Sequence, residues 1–439
     1  MSDRPDFTIN VDQNRFLPEG GTEVHAIVTI AASGNGAPVV SAHKAVEIII
    51  VDTSGSMSFA DKMHSAKRAA KAAVDLLRDD VLFAVISGSN FPKPVYPADG
   101  LVPASEQSRR EAKQAIGRLE AAGGTAIGSW LRMANELVAG HGTALRHAIL
   151  LTDGKNQHET EAELDAALRE CDGAFVCDCR GVGTDWVVAE LRKVAAALIG
   201  SVDIVADPKD LEADFRAMTV AAMGKSVPDV VLRVWTPQDA KLRFVKQVMP
   251  SLADLTGKRA EAGPQAGDYP IGSWGEESRD YHIFVEVPPQ AVGRRLRAAW
   301  VKLVAPGADG APDEVLASAN VLAEWTDDEA RSTQINGKVA HYTGQQELAV
   351  AIQDGLQARV DGDLDTATAR LGRAVALAHE SGNDAIAARL RKVVDVIDPV
   401  SGTVRLKKHV AKVDEMSLDT QSTKTVRTRK DRKDRKDGG

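Results

Sequence analysis

The chain has 439 residues, a formal net charge of −8 and 44% hydrophobic residues, enough for two or three domains with real cores. Its three cysteines, Cys171, Cys177 and Cys179, are odd in number and clustered, which makes a poor disulfide framework and suits buried thiols in a reducing compartment. No run of about 18 or more apolar residues is present, so no membrane-spanning helix is expected. The opening Met1-Ser2-Asp3-Arg4-Pro5-Asp6 lacks the basic and apolar regions of a signal peptide, and a cytoplasmic location is expected.

In chain order, residues 7–16 and 22–31 read as strands parted by Leu17-Pro18-Glu19-Gly20-Gly21. In the run Ala45-Val46-Glu47-Ile48-Ile49-Ile50-Val51 no polar residue interrupts after Glu47, the pattern of a strand buried on both faces of a parallel sheet. At its carboxyl end stands Asp52-Thr53-Ser54-Gly55-Ser56, a D-x-S-x-S motif with one carboxylate and two hydroxyls in five residues. Open α/β sheets place their ligands at such strand ends. Hard oxygen donors are what Mg2+ requires. Helix and strand then alternate: helix 62–78, strand 81–86, helices 105–119 and 127–138, strand 146–152, helix 159–170, strand 174–182, helix 186–198, strand 202–205 and helix 211–223. Alternation of this kind predicts a doubly wound, mostly parallel sheet with right-handed crossovers. Within it, Gly123-Gly124-Thr125 presents a hydroxyl just before a helix, and Thr152-Asp153-Gly154 ends a second apolar strand in a carboxylate and a turn glycine.

The order D-x-S-x-S, then a loop threonine, then an aspartate ending an apolar strand resembles the von Willebrand factor A (VWA) domain of bacterial proteins. The resemblance implies a Rossmann-like α/β fold with a metal-ion-dependent adhesion site. It makes Ser54, Ser56 and Thr125 the hydroxyl ligands of Mg2+ or Mn2+, with Asp52 and Asp153 binding directly or through water. It also implies a non-enzymatic scaffold in which the metal takes an Asp or Glu side chain from a partner protein. The plainer reading is that these residues only cap helices and turns.

One enzyme alternative is weighed from the residues. A metal-dependent phosphohydrolase could use Asp52 as nucleophile, but Ser54 stands where a D-x-D motif has its second carboxylate. Hydrolysis also needs a positioned base, and His64, the nearest histidine in sequence, falls in the following helix. No G-x-S-x-G elbow, G-x-x-x-x-G-K loop or H-E-x-x-H motif is present.

The flanks differ in character. Strand patterns at 230–235, 242–248, 281–287, 296–304 and 315–324, punctuated by pairs such as Pro288-Pro289, indicate an antiparallel sandwich. Two N-terminal strands are too few to hold a core alone. They are therefore expected to join that sandwich, with the VWA unit inserted in it. From 326 the pattern turns helical. Leu364, Ala367, Leu371, Val375 and Ala378 form one stripe and Ile386, Leu390, Val394 and Ile397 another, a helical hairpin. The expected domains are 1–43 (strands joining the sandwich), 44–225 (VWA), 226–325 (sandwich), 326–400 (helical) and 401–439 (tail).

From about Asp414 the tail has almost no large apolar residue, and it is expected to be disordered. Between Lys424 and Asp437 it carries eight basic and three acidic residues. With no aromatic interleaved and aspartates interspersed, it argues against nucleic-acid binding. Thr420, Thr423, Thr425 and Thr428 beside basic residues suggest Ser/Thr kinase sites. Thr423, with Val426 three positions on, is the best candidate for a phosphothreonine read by an FHA-domain partner.

Overall fold

A computed structural model of the chain describes residues 5–34, 44–79, 81–307 and 311–428. It divides into two compact units, the first built mainly from Gly34–Asp229 and the second from Asp6–Ser33, Val230–Ile271 and Glu276–Gly439. The chain thus leaves the second unit at Ser33 and re-enters it at Val230.

The first unit holds a seven-stranded sheet. Its spatial order is Val202–Val205, Val176–Val182, Leu145–Thr152, Ala45–Asp52, Leu82–Gly88 and Lys93–Tyr96, with Val102–Pro103 also on Leu82–Gly88. The first five strands pair parallel and the last two antiparallel. The central strand Ala45–Asp52 is buried at every position, because helices cover both of its faces. On one face Ile49 and Val51 pack with Ala66, Ala69, Ala70 and Ala73 of the helix Lys62–Leu76 and with Leu211, Phe215 and Met218 of Leu211–Met223. Small alanines let that helix lie close on the sheet. The helices Ile127–Val138, Glu161–Glu170 and Val188–Ala197 pack in sequence on one another. Serine and threonine caps start two of the helices. Ser105 and Thr160 each accept from the backbone three residues on, while Ser108 and Glu163 return the bond.

In the second unit, one sheet runs Asp6–Gln13, Glu23–Ser33, Ser278–Glu286, Lys241–Met249 and Ala253–Asp254. The other runs Ala260–Glu261, Ala266–Pro270, Val231–Trp235, Arg295–Ala305, Glu314–Trp325 and Phe16–Leu17. The N-terminal strands enter both: Glu23–Ser33 pairs antiparallel with Ser278–Glu286, and Phe16–Leu17 pairs parallel with Glu324–Trp325. Four longer helices follow, Gly337–Asp361, Leu364–Ser381, Asp384–Val393 and Lys412–Gln421, with a small hairpin of Val394–Asp398 and Thr403–Leu406. The region is therefore larger than the hairpin expected. Gly337–Asp361 shows no single apolar stripe because Val339 and Tyr342 pack with Ile27 and Val248, whereas Leu348, Ile352 and Leu356 join the helical core.

The tail needs correction. Residues 401–428, expected to be disordered, are folded as far as Thr428. Leu418 is fully buried in the helical core, and Thr420 is 1% exposed with its hydroxyl donating to the Met416 carbonyl. Thr425 is 8% exposed and donates to the Val248 carbonyl at 2.6 Å, while Gln345 Oε1 accepts from the Val426 amide at 2.7 Å. Composition misled here because it counts only a segment's own apolar residues. The rest of the unit supplies the groove and the hydrogen-bond partners. Buried Thr420 and Thr425 are not available to a kinase in this fold. Thr423 is half-buried, and its carbonyl accepts from the Leu252 amide. Residues 429–439, the remainder of the expected tail, lie outside the described residues.

Candidate metal centre

All five residues singled out in the sequence lie at the carboxyl end of the parallel sheet. Asp52 closes its strand, Ser54 stands just before the tight turn Gly55–Ser58 and Ser56 lies within it. Asp153 follows Leu145–Thr152, the neighbouring strand. Thr125 comes from the loop between Glu106–Gly117 and Ile127–Val138. Backbone bonds stitch that loop to the first motif: the Gly55 amide donates to the Gly123 carbonyl at 3.0 Å, and the Ala122 amide to the Thr53 carbonyl at 2.6 Å. Gly123 takes φ +85°, a conformation that favours glycine, where the loop turns towards Thr125.

The floor is buried and anionic. Asp52 and Asp153 are both 0% exposed. Asp52 Oδ1 accepts from the Ser54 amide at 2.7 Å and Oδ2 from the Thr152 hydroxyl at 2.5 Å. Burial pushes the Asp52 carboxyl up to about 6, opposed by the bonds from Thr152 and Ser54 and assisted by the nearby Asp153 charge. The Ser56 hydroxyl donates to Asp153 Oδ1 at 2.6 Å and lies 3.0 Å from the Ser54 hydroxyl.

Above this floor the hydroxyls converge. A Cβ added to Gly154 would lie 3.1 Å from Thr125 Oγ1, 3.4 Å from Ser56 Oγ and 3.9 Å from Ser54 Oγ. Three hydroxyl oxygens thus surround one point that only a glycine leaves open. Thr125 is only 4% exposed, and its hydroxyl makes no hydrogen bond among the described residues. Such a donor set fits a hard cation that takes oxygen ligands. Among the described residues no three His, Cys, Asp or Glu gather as metal ligands. That agrees with the composition of this site, two carboxylates and three hydroxyls.

Several contributors carry no signal in the linear motif. Lys62, at the start of its helix, places its ammonium 2.7 Å from Asp153 Oδ2 and 3.4 Å from Asp185 Oδ2. Burial pulls that ammonium down, but the bonds to Asp153 and Asp185 outweigh it and hold the pKa above the ordinary lysine value. The Thr125 loop is pinned from outside. Asn90 Oδ1 accepts from the Gly124 amide at 3.0 Å, His158 Nδ1 from the Thr125 amide at 3.1 Å, Asn156 Oδ1 from Ile127 at 2.9 Å and Glu159 Oε1 from Gly128 at 2.6 Å. The last two satisfy open amides at the start of Ile127–Val138, where no side-chain cap exists. Only the polar cluster Asn156-Gln157-His158-Glu159 after Gly154 could have drawn attention to them. His64 is an exposed helix residue, in keeping with its sequence reading. A cleft of about 450 Å3 lies in the second unit among Lys241, Arg243, Arg259 and Tyr269 and includes none of the site residues.

This sheet and strand-end motif define an α/β domain of the von Willebrand factor A class. Residues 47–204 match the von Willebrand factor type A domain family and residues 376–422 its C-terminal domain family. A von Willebrand factor type A protein from Catenulispora acidiphila is 50% identical, with 97% of this chain and 98% of that one covered at a TM-score of 0.92. The chain belongs to the von Willebrand factor type A family. The ArnB paralog VWA2 from Sulfolobus acidocaldarius shares the fold at 14% identity and a TM-score of 0.60, over 95% of this chain and 98% of that one. The human COPII-coat protein Sec24c shares it at 12% and 0.54, over 88% and 57%. No functionally curated protein matches the chain. Domains of this class generally mediate protein–protein contacts, are generally not enzymes and typically hold a divalent metal at this motif. Among the described residues, no helix is long and apolar enough to cross a membrane.

Proposed function

We propose that this chain is a protein-binding scaffold whose metal-ion-dependent adhesion site is built from Asp52, Ser54, Ser56, Thr125 and Asp153. The observation that carries the reading is the cradle of three hydroxyls around Gly154, one of them without an internal partner, above two buried carboxylates. Ser54, Ser56 and Thr125 would hold Mg2+ or Mn2+, with Asp52 and Asp153 directly or through water. Hydroxyl ligands neutralise little of a dication's charge, so a bound ion would supply an electrophilic position for a partner's Asp or Glu. Thr152 and Lys62 hold the two carboxylates in place, and Asn90 and His158 hold the threonine loop. Three free, buried thiols accord with a cytoplasmic setting.

A phosphohydrolase using Asp52 is disfavoured by its full burial and by the hydrogen bonds on both its oxygens, which leave no free nucleophile. Recruitment of an FHA-domain protein through phosphorylated Thr423 would require the segment to leave its seat on Leu252 and Gln345. Calorimetry with Mg2+ and Mn2+ on the full chain tests the main reading. Binding is expected in the native protein and lost in Asp52→Ala, and EDTA should release captured partners. Partner capture that survives both treatments overturns the reading. Mg2+-dependent phosphatase turnover lost in Asp52→Asn would favour the enzyme instead.

A further inference from the structure

Five phenylalanines lie in the first unit. Phe83, Phe175 and Phe215 are buried at 0%, 5% and 0% exposure. Phe59 and Phe91 are 70% and 73% exposed. Both of these sit on loops at the carboxyl end of the sheet, beside the candidate metal centre. Among the described residues of this unit the third large exposed apolar residue, Val220, lies on the helix Leu211–Met223. Among the described residues, the exposed phenylalanines of the unit are therefore confined to one edge, the edge that carries the site.

Each is held there by the chain. Phe59 follows the turn that carries Ser56, with its amide donating to the Ser56 carbonyl at 3.3 Å. The next two residues, Ala60 and Asp61, both adopt left-handed backbone at φ 53° and 56°, conformations that L side chains rarely take. The chain accepts that strain where Phe59 is left in solvent. Phe91 is locked by Ser89, whose hydroxyl accepts from the Phe91 amide at 3.1 Å and donates to its carbonyl at 2.8 Å. Between them, Asn90 bonds the Gly124 amide next to Thr125, and the Trp130 indole donates to the Ser89 carbonyl at 2.5 Å. The aromatic positions thus belong to the same bonded loop system as the hydroxyl ligands. Exposed charges at that edge are of both signs, Lys93 and Lys155 beside Phe91 and Gly154, and Asp61 and Asp185 near Phe59 and Lys62.

We infer that Phe59 and Phe91 flank the metal centre as apolar anchors, so that the partner is a protein segment whose metal-seeking Asp or Glu stands between large aliphatic or aromatic side chains. This rests on the proposed adhesion site and adds its specificity. Rigid aromatics bury much area at little conformational cost, which is why they dominate interface energetics. The carboxylate-seeking centre selects acidic over basic segments.

The test uses the full chain with a displayed library of nine-residue peptides that fixes a central Asp and randomises its flanks, selected in Mg2+ with and without EDTA. Enrichment of Leu, Ile, Phe or Trp at flanking positions is expected, and it should disappear when the selection is repeated on Phe59→Ser/Phe91→Ser. Each single change should weaken a selected peptide by about tenfold. Thermal unfolding of the variants checks that the fold persists. EDTA-sensitive peptides with random flanks would overturn this inference while leaving the adhesion site standing. Absence of any EDTA-sensitive selection would overturn the adhesion site and this inference with it. Phenylalanine-dependent sedimentation with phosphatidylserine vesicles, or a phenylalanine-dependent dimer without peptide, would assign the aromatics to a membrane or a second copy and overturn it too.

Discussion

The two central strands Ala45–Asp52 and Leu145–Thr152 carry two polar clusters with opposite characters. At the carboxyl end lie Asp52, Asp153 and the converging hydroxyls. A few residues back, in the same register, Glu47 stands beside His147. There the imidazole bonds Glu47 Oε1 and Oε2 at 2.9 and 3.0 Å through Nδ1, and Asp178 Oδ2 at 3.1 Å through Nε2. Asp178 Oδ1 in turn accepts from the Ser201 amide and hydroxyl, both at 2.7 Å. Every group in that cluster finds its partner within the fold. The strand-end cluster instead leaves the Thr125 hydroxyl without one and opens a cradle at Gly154. Composition alone would rank the Glu–His–Asp cluster as the better metal or catalytic site. Satisfaction of hydrogen bonds separates the two: a closed network stabilises, and a network with spare donors binds.

Breaking the strand-end cluster at its internal cation should have the largest effect. Lys62→Met leaves Asp153 buried without its ammonium and is expected to cost about 3–5 kcal/mol in metal-free buffer. Mg2+ should restore much of that, so urea unfolding with and without Mg2+ should diverge far more in the variant than in the native chain. Equal denaturation midpoints in EDTA would show that the ion pair is not structural.

The closed cluster should respond to pH instead. Burial lowers the His147 pKa, but Glu47 and Asp178 overcome it and raise it to about 10. Because the folded pKa lies above the ordinary value near 6.5, the cluster's contribution is complete below that pH and is lost as pH rises towards about 10. His147→Leu should cost about 2–3 kcal/mol near neutrality, since burial already raises the Glu47 pKa and lets that carboxyl protonate. Chemical unfolding from pH 6 to 10 should show a smaller decline in the variant. A parallel decline in both proteins would place the pH dependence elsewhere.

Removing a spare donor should cost stability least. Thr125→Ala deletes a hydroxyl that holds nothing internally, so its effect on unfolding should stay within about 0.5 kcal/mol. Calorimetry should nevertheless register a large loss of Mg2+ affinity. A loss of fold without a loss of metal binding would reverse the contrast between the clusters.

Much of the first unit was legible because its elements follow local rules. The apolar run Ile48–Val51 before Asp52 and the alternation of helices and strands after it each announce themselves within a few residues. The joining of Phe16–Leu17 and Glu23–Ser33 to distant strands followed from the size of an isolated pair, although no motif pointed to their partners. The helix Gly337–Asp361 and the folded segment to Thr428 were not legible. Their apolar and polar partners come from separate parts of the chain, so a local window sees neither stripe nor core.

By itself, the sequence determined the alternating architecture of the first unit and the order of five oxygen-bearing residues at its strand ends, since both depend on spacing along the chain. Tertiary structure alone decided that Thr125 stands over Gly154, that Lys62 meets Asp153, and that Glu47 closes on His147 rather than opening to a ligand. It also decided which phenylalanines stay in solvent. Each of these is a relation between groups far apart in the chain, fixed by sheet register, helix packing and the requirement that buried polar groups find partners.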